Sequence, residues 1–368
     1  MSELVLKGIS LAALRDRGLD LRIADREFVV LAGPDRTTLS GIVRAIAGLE
    51  PVLRGEILLG ERPLNHVPAH ERNVAYVARD FVPYPRLSVY ENILLGLELR
   101  KFGKAEADRR IQDAAASLEL QPLLKSGAHE LSAEQRQRVA LARALVQQPM
   151  VYVFDDPFAG LSGEERRRAR AEITKLRERS SATIVYATSD GAEALALGGR
   201  VVFIESGVIQ QDAEARTAFE TPATVSIAEF LGDSPMNLIR GTIKPERDGA
   251  LFSETGEGTI ALRLPPTTFR DEAAMGGKPI ILGIRPEALE TAGPGAPKGS
   301  TFRALIDRVE VRGTESDVYI KTGAHGLMCR SRSWDEPGEG GRRAEFAVDT
   351  TKLHLFDADT GSRITAQT

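Results

Sequence analysis

Residues 33–41 read Gly-Pro-Asp-Arg-Thr-Thr-Leu-Ser-Gly, between an apolar run ending at Ala32 and a helix-period run from Ser40 to Ala47. That is the place of a phosphate-binding loop. Such a loop, G-x-x-x-x-G-K-[ST], works through backbone amides that cradle phosphates, a Lys on the outer phosphates and a hydroxyl on Mg²⁺. Here Gly33 and Ser40 remain, Thr38 stands where the second Gly belongs and Leu39 where the Lys belongs, with Arg36, Thr37 and Gly41 completing the stretch. The spacing implies phosphate chemistry, but its cation is missing. A charge-assisted contact is worth about 1.5–3 kcal/mol, so its loss weakens polyphosphate binding roughly ten- to a hundredfold. Arg36 is the cation within the loop that could substitute, with Asp35 of opposite charge beside it.

The elements that must position this loop are legible around it. Apolar runs at Glu27–Ala32, Met150–Asp155, Ala182–Thr188 and Arg200–Glu205 predict strands buried on both faces, and helix-period segments separate them. Ser40–Ala47 places Ile42, Val43 and Ile46 on one side of a helix, and Ala133–Gln147 is another. Ser132, with Gln135 three residues on, has the spacing of a capping box for that second helix. Glu164–Arg179 carries a third helix. Its Arg166–Arg170 cluster reads as a solvated face rather than a nucleic-acid surface, because acids flank it and no aromatic residue interleaves. Residues 1–235 therefore predict a mainly parallel α/β domain.

After Pro235 the texture changes to Gly- and Pro-rich segments with short alternating apolar stretches. Candidate strands are Leu238–Ile243, Gly258–Leu264, Pro279–Arg285, Phe302–Val311, Ser316–Thr322 and Arg343–Val348, with turn-rich pieces such as Gly293–Gly299 between them. Residues 236–368 therefore predict one or two small all-β barrels.

Composition bounds the class of protein. At 368 residues the chain is long enough for two domains with sizeable cores. Charged residues make up 27 % and the net charge is −4, so no bulk attraction to nucleic acid or anionic membrane is implied. A single cysteine, Cys329, excludes an internal disulfide and argues against a structural zinc site, which fits a reducing cytoplasm. No leader-like amino terminus appears, and no stretch approaches the roughly 18 apolar residues of a membrane span, so any membrane role is expected to be peripheral.

The order of segments resembles the ATP-binding subunits of ABC importers, specifically the long carbohydrate-importer type (maltose and glycerol-phosphate importers) with a carboxy-terminal regulatory β domain. The carriers are Gly33–Glu50, Asn73–Ile93, Leu131–Ala144 (LSAEQRQRVALARA), Val151–Leu161 (VYVFDDPFAGL) and Ile184–Val202 in the first half, with AEFLGDSPMN at Ala228–Asn237 and LGIRPEAL at Leu282–Leu289 in the second. The resemblance implies a P-loop NTPase-like ABC domain over 1–235, with a helical subdomain at about 82–147, and an OB-like regulatory domain over 236–368. It also implies ATP and Mg²⁺ as ligands and a cytoplasmic place on the inner face of the membrane.

Carried over residue by residue, the resemblance makes Asp155 the acid that holds Mg²⁺ with Ser40. Asp156 stands where the family has a Glu that activates water, one methylene shorter, and about 1 Å of misplacement can cost on the order of a hundredfold in rate. Arg79 stands for the water-sensing Gln and Ser189 for the His on the γ-phosphate. Arg79 has no acceptor, and Ser189 lacks an imidazole's reach. The family's base-stacking aromatic is missing from Ser10–Leu19, and Ser162 replaces an acid after Asp156. In the signature, Ser132 and Gln135 remain as ATP contacts or as helix caps alone, while Glu134 replaces a Gly and sets a carboxylate where the opposite subunit's phosphate approaches.

The surface that receives the permease keeps its character: Tyr84, Pro85 and Leu87 are its candidates, with local packing as the alternative. Two functions follow. One is a pseudo-ATPase that docks on transmembrane permease subunits and pairs, as a heterodimer, with a second, intact ABC ATPase subunit, served indirectly by a periplasmic or lipoprotein solute binder. The other is an active ATPase running on Arg36, Asp156 and Ser189. The first is preferred because independent contact losses multiply. A nucleic-acid-associated ABC protein is a third reading, disfavoured by the β domain and the near-neutral charge.

Overall fold

The computed structural model describes residues 3–14, 17–97, 102–247, 249–266, 277–293, 295–297, 299–331 and 341–364. β1 (Leu4–Ser10) and β2 (Leu19–Ile23) pair antiparallel, and β2 alternates strictly between buried and exposed residues. β3 (Phe28–Ala32) is buried throughout. α1 (Arg36–Ala47) follows, and then β4 (Arg54–Leu59) and β5 (Arg62–Pro63) complete a four-stranded sheet ordered β2-β1-β4-β5. Reading the first half as mainly parallel overlooked this antiparallel sheet, in which only β2 alternates regularly between buried and exposed residues.

β6 (Val74–Val77) leads into α2 (Val89–Leu94), α3 (Lys104–Ser117) and α4 (Ala133–Leu145). β7 (Val151–Asp155), α5 (Gly163–Arg179), β8 (Thr183–Thr188), α6 (Gly191–Leu197), β9 (Arg200–Glu205) and β10 (Val208–Glu214) follow. The second sheet runs β10-β9-β3-β8-β7-β6, parallel except for β10 at its edge. Neighbouring parallel strands end on the same side, so the loops after β3, β7 and β8, which begin at Gly33, Asp156 and Ser189, leave one edge of the sheet. Open α/β sheets bind ligands at that edge. Leu39, Ile42, Val43 and Ile46 of α1 pack with Val29, Val153 and Val185 in one core. The helix begins a turn earlier than expected, at Arg36, because Asp35 caps it, and it ends on Gly48 at φ 81°.

The chain divides into compact units at Arg216/Thr217, so residues 217–235 join the β unit. The physical reason lies in Arg285, whose guanidinium donates to the carbonyls of Phe219, Ala228 and Leu231 and lies over the Phe219 ring. Through it the segment before Pro235 belongs to the β unit. That unit holds two five-stranded antiparallel sheets within Asn237–Asp357. Ile239, Phe252 and Leu282 from one sheet share a core with Phe302, Ile320 and Phe346 from the other. The six expected strands are all present, and Gly249–Glu254, Leu289–Thr291, Gly326–Ser331 and Leu353–Asp357 add to them. Within the expected turn at Gly293–Gly299, residues 294 and 298 lie outside the described residues.

Candidate functional site

At the carboxyl edge of the second sheet an open cleft of about 670 Å³ is lined by, among others, Arg36, Thr37, Ser40, Gly41, Arg44, Tyr76, Arg79 and Asp155. Its lining includes Arg36, Arg44 and Arg79 together with Glu50, Asp80 and Asp155, three cations and three carboxylates. Such a balance is not the net positive field that collects a polyphosphate.

The loop's donors are engaged within the chain. Asp35 Oδ1 accepts from the amides of Thr37 at 3.0 Å and Thr38 at 3.3 Å. The Thr38 hydroxyl lies 2.7 Å from Asp35 Oδ2 and 3.1 Å from the Ala13 carbonyl, its one proton shared between them. Leu39 is 2 % exposed and belongs to the core, so it does not line the cleft. Gly33 is required by packing alone, since a Cβ there would come within 2.1 Å of the Ile204 carbonyl oxygen. The Ser10–Leu19 stretch, which carries no aromatic, buries Leu11 and Leu14; residues 15 and 16 lie outside the described residues.

The carboxylates are engaged too. Asp155 Oδ2 accepts from Ser40 Oγ at 2.6 Å and from the Tyr76 hydroxyl at 2.7 Å. Burial first, and then the hydrogen bond to Asp155, raise the Tyr76 pKa, so the phenol keeps its proton. Asp156 sits in the left-handed region at φ 46°, its amide donating to the Ala187 carbonyl at 2.8 Å. Arg79 Nη1 holds its Oδ2 at 2.7 Å. Burial pushes the Asp156 pKa up, against the pull of Arg79.

The ATP and Mg²⁺ implied by the resemblance do not fit this arrangement. Mg²⁺ takes few protein ligands and leans on the phosphates it bridges. Here the loop amides hold a carboxylate, the lysine position is buried leucine, and the metal carboxylate carries two donors on one oxygen. Among the described residues, no group of three His, Cys, Asp or Glu could hold a metal by itself.

Ser189 follows β8 half-buried and does not line the cleft. Ser132 and Gln135 form a reciprocal capping box on α4, the amide of Gln135 donating to Ser132 Oγ and the amide of Ser132 donating to Gln135 Oε1 at 2.9 Å. Glu134 is paired at 2.6 Å with Arg138 of its own helix, so its charge has a cation beside it. Ser162 likewise caps α5 with Glu165. On α5, Arg166 pairs with Asp190 and Arg168 with Glu164, as a solvated face does.

The loop before α2 is exposed. Val82 is 75 % and Tyr84 53 % exposed, Pro85 is exposed and Leu87 half-buried. Beneath them the fully buried Asn92 accepts from Tyr84 N at 2.8 Å and donates to the Tyr84 carbonyl at 3.1 Å. Local packing therefore does not account for Val82 and Pro85, whereas the Arg143 guanidinium lies over the Tyr84 ring, 5.7 Å from its centroid.

Sequence reading missed Tyr76 and the capping role of Asp35. Asp35 carried a signal, an Asx residue directly before a helix. Tyr76 carried none, because its relation to Asp155 arises from the pairing of Tyr76 with Val153 across β6 and β7.

The family models that match are ABC transporter over residues 17–159, MalK OB fold domain over 235–289 and TOBE domain over 282–356. An uncharacterized ABC transporter ATP-binding protein, YcjV of Escherichia coli O157:H7, is 37 % identical over 345 residues, 94 % of this chain and 93 % of its own. The sn-glycerol-3-phosphate import ATP-binding protein UgpC of Burkholderia lata is 38 % identical over 346 residues, 94 % of each chain. Among solved structures, the ATP-binding cassette MJ0796 bound to ADP and Pi shares 24 % identity at a TM-score of 0.52, over 58 % of this chain and 99 % of its own. The cbiO1 protein of Clostridium perfringens shares 21 % at 0.53, over 59 % and 90 %, and both likenesses speak to the fold alone. Among the described residues no helix is long and apolar enough to cross a membrane.

Proposed function

The chain belongs to the ATP-binding subunits of carbohydrate-type ABC importers, and from that membership we propose that it serves its transporter as a pseudo-ATPase. The family generally binds ATP with Mg²⁺ and works with transmembrane permease subunits. In this reading the present chain keeps the docking face and gives up hydrolysis. The observation that carries it is the Arg79–Asp156 ion pair at 2.7 Å. Hydrolysis needs a carboxylate free to accept a proton from water and a neighbour that accepts a hydrogen bond to aim that water. Asp156 faces a guanidinium instead, and a guanidinium only donates.

Val82, Tyr84 and Pro85 are then the surface for a cytoplasmic helix of the permease. An intact second ATPase subunit completes the pair, since two copies of this chain would combine two altered loops with two altered signatures. The solute is of the carbohydrate or polyol class, in keeping with a relative named for sn-glycerol-3-phosphate import. The chain sits on the inner face of the membrane, held by those partners.

The test is turnover of the purified chain, alone and assembled with its permease and the second subunit. No Mg-ATP hydrolysis is expected from the chain alone, and Asp156→Asn in this chain is expected to leave the assembled rate unchanged. Hydrolysis that Asp156→Asn abolishes would establish an active ATPase instead.

A further inference from the structure

Two groups of this chain stand where the groups of a ligand stand in a loop of this kind. Amides at the head of a helix that follows a strand are the donors a phosphate uses. Here those of Thr37 and Thr38 donate to Asp35 Oδ1 at 3.0 and 3.3 Å, and the Thr38 hydroxyl lies 2.7 Å from the other carboxylate oxygen. Past Ser40, the Tyr76 hydroxyl donates to Asp155 Oδ2 at 2.7 Å, on the oxygen that also accepts from Ser40. Two loop amides, the Thr38 hydroxyl and one oxygen of Asp155 are thus engaged by the chain with itself.

We propose that Asp35 and Tyr76 are internal replacements for the polyphosphate and the divalent cation, so that the cleft excludes the metal–nucleotide pair by occupying its contacts as well as by lacking a lysine. The proposal deepens the pseudo-ATPase reading and rests on it for what the cleft is. A phosphate must displace Asp35 from the amides and then lie beside the displaced negative charge. A cation must displace the phenol proton before it can use Asp155 Oδ2. The cleft's balanced charge, three arginines against three carboxylates, supplies no compensating attraction.

The test uses the full chain with ATP and Mn²⁺ as probes. Calorimetry reads nucleotide affinity, and the electron paramagnetic resonance of Mn²⁺ reads the metal. The variant with Asp35→Gly and Tyr76→Phe is expected to bind the pair about tenfold or more tighter than the unaltered chain, the order of one charge-assisted contact. Asp35→Asn, which keeps a side-chain cap without the charge, is expected to tighten ATP alone, and Tyr76→Phe to tighten Mn²⁺ alone. The Asn variant carries the test if the Gly variant does not fold, as circular dichroism will show. Folded variants with unaltered affinity overturn the proposal, and so does an unaltered chain that already binds as tightly as the double variant. Hydrolysis is read separately. Unchanged binding without turnover sinks this proposal alone, whereas turnover by the chain sinks the pseudo-ATPase reading whatever the binding shows.

Discussion

Arg79 Nη1 lies 2.7 Å from Asp156 Oδ2, and the carboxylate it holds is only 4 % exposed while the arginine is 31 % exposed. Removing the cation leaves a buried, unpaired charge; removing the charge leaves an arginine that can turn to solvent. The two partners are therefore unequal.

Arg79→Ala is expected to cost about 3 kcal/mol, the low end for breaking a buried pair, because Arg79 is partly solvated. In a unit of this size that lowers the melting temperature by about 6–12 °C. Asp156→Asn should cost less than half as much. Thermal unfolding of both single variants and the double variant checks this, and additive losses would show that the pair is not coupled.

Leu39 is core, so the lysine position cannot be refilled without consequence. Leu39→Ala is expected to destabilise by about 2–4 kcal/mol through the cavity it leaves. Leu39→Lys should also destabilise and, while the Asp35 carboxylate stays on the loop amides, should not bring ATP affinity into the micromolar range. Urea unfolding and ATP titration measure the two effects, and a stable Leu39→Lys chain with micromolar affinity would contradict the argument.

The docking face can be separated from stability because its residues are exposed. Tyr84→Glu and Val82→Asp are expected to change the unfolding free energy by less than about 0.5 kcal/mol, as surface substitutions usually do. Both should weaken co-purification with the permease at least about tenfold, since a charge set into an apolar contact costs well over 1.4 kcal/mol. Undiminished co-purification of a folded Tyr84→Glu chain would place the docking surface elsewhere.

In the β unit the buried His354 sets an acid limit on stability. Burial first, and then Arg363 and Arg285, push its pKa from 6.5 down to about 4, and its Nδ1 has no hydrogen-bond partner among the described residues. The folded state therefore binds fewer protons than the unfolded one between those values. Its stabilisation is full above about 6.5 and is lost as pH falls through about 4, reaching about 3 kcal/mol in all. Unfolding at pH 7.5 and 4 should show a steeper fall for the unaltered chain than for His354→Gln, and equal slopes would show that His354 does not carry the effect.

Much of the fold was legible because its signals are local. All-apolar runs gave β3, β7, β8 and β9 to within a residue at each end, and the three expected helices appear, α4 with its expected capping box. The antiparallel sheet of β1, β2, β4 and β5 and four strands of the β unit were not legible, because short strands that mix apolar residues with Gly and charged ones resemble loops in composition. Which unit the segment before Pro235 joins has a different source. Gly and Pro mark where texture changes, whereas Arg285, reaching back to the Phe219, Ala228 and Leu231 carbonyls, decides which unit the segment joins.

By itself the sequence determined the family's frame and set Leu39, Arg79 and Asp156 as expectations at fixed places in its motifs, since each is a residue type at a known spacing. Only the tertiary structure decided what those residues contact. Tyr76 and Arg79 come from the β6 strand and the loop after it, while Asp155 and Asp156 lie at the end of β7 and just past it. Parallel pairing of β6 with β7 brings Tyr76 to Asp155 and Arg79 to Asp156 across nearly eighty residues of chain, separations of 79 and 77. Hydrogen bonds and ion pairs act over about 3 Å, so their partners are set by strand register and loop direction, which no local stretch of sequence contains.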